Sequence, residues 1–111
     1  MGMPRIEGPD RAKPLSYDPK RDKLITFDEI LSGDEPIIPV DQLTESERVH
    51  LVIERQRAGP DYRVQAMSGS PMSRDDVIEA IRRGDDFGRA TVEADLSHLR
   101  DLLAQIGSAL K

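Results

Sequence analysis

The sequence predicts a mainly α-helical domain with room for one short β-ribbon, and three observations carry that expectation. The first is an apolar stripe near the C-terminus. Val92, Leu96, Leu99, Leu103, Ile106 and Leu110 recur at spacings of 4, 3, 4, 3 and 4, the a/d repeat of a helix that buries one side. The second is a set of helix starts. Thr26 with Glu29 and Thr44 with Glu47 form capping boxes, in which the Thr hydroxyl and the Glu carboxylate each satisfy a backbone amide of the first turn. Ser73 stands before the acidic pair Asp75 and Asp76, an N-cap followed by charges that suit the positive end of a helix dipole. The third is a matching set of stops at Gly33, Gly59-Pro60 and Gly84.

Taken in order, the chain opens with Pro4, Pro9, Pro14 and Pro19 spaced five residues apart. Each fixes its own φ, removes an amide donor and pushes its predecessor out of the helical region. Ile6, Leu15 and Tyr17 are the main apolar residues there, little return for the entropy of ordering. Residues 1–22 are therefore expected to be an extended or disordered arm, and residues 23–111 a single small domain. A short helix over about 27–32 would carry Phe27, Ile30 and Leu31 on one side. Pro36-Ile37-Ile38-Pro39-Val40 reads as an extended strap, since its two prolines forbid a helix or a central strand. Ile37 and Ile38 should lie in a groove on the helical body or on a partner.

The second capping box opens a helix running to Ala58, with Val49, Leu51, Val52 and Ile53 as its apolar cluster and Arg55 and Arg57 near its negative end. Tyr62 to Met67 alternates with period two, which predicts a short strand, with residues 23–27 as a candidate mate. The C-terminal part reads as a helical hairpin. One helix spans 73–83, with Val77, Ile78 and Ile81 on its apolar face, and a longer one starts near Arg89 or Ala90 and carries the stripe, widened by Leu102.

Composition narrows the function classes. The net charge is −5, and no segment is basic: residues 1–43 carry six Lys/Arg against nine Asp/Glu, residues 44–70 four against four, and residues 71–111 six against eight. Nucleic acid and anionic membranes both recruit Lys and Arg, so the balance argues against either. Cysteine is absent, which removes disulfides and thiolate metal sites. Two Phe, two Tyr and no Trp leave few aromatic walls for a small-molecule pocket. The N-terminus lacks the apolar stretch of a signal peptide, Ile6 stands where a myristoylation signal needs Ser or Thr, and no apolar run is long enough to span a bilayer. A cytoplasmic location is expected. Twelve Arg against four Lys suggests a GC-rich, bacterial genome.

Chemistry-bearing patterns are thin. Asp18 to Glu29 matches a calcium loop at Asp18, Asp22, Ile25 and Glu29, but Lys20 replaces a ligand and Lys23 replaces the turn glycine. Asp95 and His98 share a helix face without the second pair a di-metal bundle needs. Ser68-Gly69-Ser70 is not a nucleophile elbow. No catalytic, metal or cofactor site is assigned, and no enzyme activity is expected. The hairpin at 73–110 has the outline of a helix-turn-helix, which makes a DNA-binding regulator the alternative. Only Arg89 stands in the opening turn of its second helix, followed by Glu93 and Asp95. The expectation is a small protein-binding adaptor or regulatory partner, with an antitoxin or immunity-type protein as one version. Its docking or self-association surface would comprise Ile37, Ile38, Val92, Leu96, Leu99, Leu103, Ile106 and Leu110, and its partner would be another protein or a second copy.

Overall fold

The structure, a computed structural model, describes residues 9–59, 63–65 and 71–110. The domain is mainly α, as expected, with two small antiparallel ribbons. In chain order it runs α1 (Pro9–Ala12), β1 (Pro14–Asp18), β2 (Lys23–Thr26), α2 (Phe27–Leu31), a 3-10 turn (Val40–Gln42), α3 (Glu45–Ala58), β3 (Arg63–Gln65), β4 (Pro71–Ser73), α4 (Arg74–Arg83) and α5 (Asp86–Ala109). β1 pairs with β2, and β3 pairs with β4.

The capping chemistry legible in the sequence is what the backbone uses. Thr26, Thr44 and Ser73 each accept a backbone N–H at the third helical residue. Glu29, Glu47 and Asp76 close the reciprocal bonds, so orphan donors at three helix starts are satisfied locally. Gly84 ends α4 with φ +68°, and its N–H reaches the Ala80 and Ile81 carbonyls. Only a residue without Cβ takes that left-handed cap cheaply.

α5 begins a turn earlier than Arg89. Asp85 caps it by accepting from the Gly88 N–H at 2.8 Å, so Gly88 lies inside the first turn instead of ending a loop. A Cβ there would stand 2.1 Å from the Ala80 carbonyl oxygen, so the glycine lets α5 press onto the end of α4.

The N-terminal arm is the main correction. Residues 1–8 lie outside the described residues, but residues 14–18 form a strand of the core: Leu15 and Ser16 are fully buried and Tyr17 nearly so. Buried Ser16 is tolerated because its hydroxyl donates to the Ile38 carbonyl at 2.8 Å and accepts the Ile38 N–H at 3.0 Å, repaying its desolvation. Pro14 opens the strand, a position that needs no amide donor. The partner of residues 23–26 is thus β1, not the stretch at 62–67; the described part of that stretch, β3, pairs with β4.

The C-terminal stripe faces inward. Val92, Leu96, Leu99, Leu103 and Ile106 are buried with Leu102 in one cluster that also takes Leu51, Val52, Ile53, Val77, Ile78 and Ile81. Burying these six aliphatic side chains at about 1.5–3 kcal/mol each makes this helix a main apolar contributor to the core. Only Leu110, half exposed at the C-cap, stays outside it.

The close approach at Gly88 gives a direct test. Gly88→Ala should lower unfolding free energy by about 1–3 kcal/mol or more through overpacking. Gly107→Ala, with nothing within 4 Å of its added carbon, should raise it by about 0.5–1 kcal/mol through helix propensity. Urea denaturation of the two variants measures both, and equal effects would refute the packing account.

Candidate partner-binding groove

α3 enters the core with an arginine among its apolar residues. Arg55 follows Leu51 by four positions, hence on the same helix face, and is 1% exposed. Its guanidinium donates to Asp95 through Nε at 2.9 Å and Nη2 at 3.2 Å, and to the Pro14 carbonyl through Nη1 at 3.0 Å. One planar donor fork thereby ties α3, α5 and β1 together, a geometry lysine could not supply. Asp95, which the sequence places beside His98 as a thin metal motif, is spent on this pair.

The carboxylates of the calcium-like loop are also committed. Asp18 accepts from Arg21 Nε at 2.6 Å and the Lys20 N–H at 3.0 Å, and the Arg21 contact holds its carboxyl below the usual range. Asp22 accepts the Tyr17 hydroxyl at 2.5 Å, which pushes the phenol up to about 12. Glu29 takes Lys23 at 2.8 Å and the Thr26 amide at 3.0 Å. Among the described residues no group of three or more His, Cys, Asp or Glu is placed to hold a metal ion.

What the packing leaves open is a groove of about 590 Å³ where the first half of α3 meets the turn between α4 and α5. Val49, Ile81, Val92 and Leu96 form its floor, Gly84 and Gly88 its end, and Glu45, Arg48, Arg89 and Glu93 its charged lining. Arg48 is held back against the strap, donating to the Val40 carbonyl at 2.9 Å and the Asp41 carbonyl at 3.3 Å. Arg89 pairs with Asp86 at 2.5 Å.

The expected docking residues are divided by this arrangement. Val92 and Leu96 contribute edges to the groove floor, while Leu99 and Ile106 are fully enclosed. Ile37 and Leu103 line a second cleft of about 290 Å³ with Val40 and Ala104, crossed by an Arg100–Asp41 ion pair at 3.0 Å. Ile37 and Ile38 are half-buried against the chain's own core, so the strap docks onto this body. The groove residues Glu45 and Arg48 carried no signal in the sequence, because only the crossing of α3 over the α4–α5 turn brings them to Arg89 and Glu93.

The arginines that a DNA-reading hairpin would aim at phosphates are engaged with acidic neighbours. Arg82 bonds Glu79 at 2.7 Å, Arg83 bonds Asp85 at 3.0 Å, and Arg89 bonds Asp86. Among the described residues no helix is long and apolar enough to cross a membrane.

Asp85 caps α5, and the Gly88 amide holds its carboxyl below the ordinary 3.8, with help from Arg83. A carboxyl depressed on folding contributes stability that is full above its unfolded value and lost as pH falls through its folded one. Thermal unfolding followed from about pH 6 down to about pH 2 should therefore show Asp85→Asn losing stability less steeply than the parent; parallel curves would remove the charge contribution. Neither a protein-family model, nor a curated protein, nor a solved structure matches the chain.

Proposed function

We propose that this chain is a small cytoplasmic adaptor or regulatory protein without catalytic activity, and that the α3–α4–α5 groove receives an amphipathic segment of another protein. The observation that carries the reading is the groove itself, open to solvent, with Val49, Ile81, Val92 and Leu96 among charged residues in its lining. Helix-in-groove recognition needs such a floor, with anchors at i, i+3 or i+4, and i+7 on the incoming segment. Exposed Phe87, adjacent in sequence to the groove residue Gly88, adds an aromatic of the kind enriched at interfaces. The floor side chains are mostly buried, so the apolar contact they offer is small and the complex is of the transient kind.

A second copy as partner has less support, because the helical stripe that would have formed the seam is consumed internally. DNA has less support too, since Arg82, Arg83 and Arg89 are paired with carboxylates and the net charge is −5.

Titrating isotope-labelled protein with an uncharged amphipathic Leu/Gln peptide of about 14 residues, four helical turns, tests the reading. Amide shifts should concentrate around Val49, Ile81 and Arg89, and Arg89→Trp, which fills the mouth from an exposed position, should abolish them. Shifts dispersed over the surface, or none at about 1 mM peptide, would refute it. A gel shift with genomic fragments that weakens steeply with salt would favour the DNA-binding alternative.

A further inference from the structure

Resting on the groove reading, we infer that the incoming segment is basic: an apolar stripe flanked by Lys or Arg. The groove lining holds two cations and two anions, but they are not equally available. Arg48 is turned to the neutral Val40 and Asp41 carbonyls and keeps its charge, whereas the charge of Arg89 is offset by Asp86 on the same helix, which leaves two glutamates against one uncompensated arginine. Among the described residues, Glu45 and Glu93 have no ion pair and no side-chain hydrogen bond, and both are exposed. They line the groove from different helices, α3 and α5, so a segment lying between those helices meets a carboxylate from each side.

The two carboxylates differ in weight. Glu45 sits in the first turn of α3, where the helix dipole already compensates part of its charge. Glu93 stands mid-helix in α5, and its neighbour one turn back, Arg89, is engaged elsewhere. Glu93 is therefore the stronger attractor. An acidic segment would meet both carboxylates against the single uncompensated cation Arg48, whose guanidinium is turned to the Val40 and Asp41 carbonyls, and like charges across a contact disfavour the wrong partner.

Fluorescence anisotropy with two labelled peptides of identical leucine spacing, one flanked by Lys and one by Glu, decides the matter. The Lys peptide should bind at least about tenfold more tightly at about 50 mM salt, with the gap narrowing at about 500 mM as screening sets in. E45K/E93K should invert the preference. E79K/D101K, which changes net charge equally at exposed positions outside the groove, should leave the preference for the Lys peptide in place. Equal affinities for the two peptides, or the same response from both double variants, overturns the basic-partner inference. If both peptides still shift groove amides, the groove reading survives that result; if neither peptide binds, the groove reading falls and takes this inference with it.

Discussion

Arg55 is the constraint around which this domain is arranged. A guanidinium at 1% exposure cannot be left without acceptors, because the cost of an uncompensated buried charge is several kcal/mol. Its fork is filled by both oxygens of Asp95 and by the Pro14 carbonyl. Those three acceptors set the axial position of α5 against α3 and the starting point of β1. Aliphatic packing alone would not choose so sharply, since a Leu/Val/Ile interface tolerates small slides, whereas a slide here would strand a charge.

From that register the rest of the architecture follows. With Asp95 turned toward α3, the neighbouring stripe from Val92 to Ile106 must face the same interior, and the seam that could have served a coiled coil becomes the core. With Pro14 pinned, β1 is drawn over the helical body, and Ser16 meets Ile38 so that the strap closes over it. The groove is what remains at the other end of α3, beside the turn where Gly88 lets α5 close onto α4. Its charge balance favours the two glutamates, because Asp86 offsets Arg89 and Arg48 is turned to backbone carbonyls.

Local signals were legible and tertiary ones were not. The bounds of α3 at Glu45 and Ala58 follow from a capping box and a Gly-Pro stop, both of which act within a few residues. The sequence starts α5 a turn late because Gly88 resembles a loop glycine; its reason for being glycine is the Ala80 carbonyl on another helix. β1 is hidden in the sequence because prolines and a serine dilute its apolar content, and the compensation for Ser16 comes from Ile38, 22 residues away. In the sequence Arg55 reads as a favourable charge near a helix end. Its position four residues after Leu51, within the apolar face, was the available sign that it pointed inward. The floor residues Ile81, Val92 and Leu96 were recognised as apolar faces, but which of their edges would stay open depends on how the helices cross.

The most direct measurement is a double-mutant cycle on the buried pair, with unfolding free energies from urea titration of the parent, Arg55→Met, Asp95→Leu and the combined variant. Asp95→Leu alone should cost about 3–5 kcal/mol because the guanidinium stays buried without its carboxylate, while the double variant, carrying two aliphatic groups, recovers most of that loss. Single variants each within about 0.5 kcal/mol of the parent, adding without coupling, would contradict the claim that this ion pair sets the register of the domain.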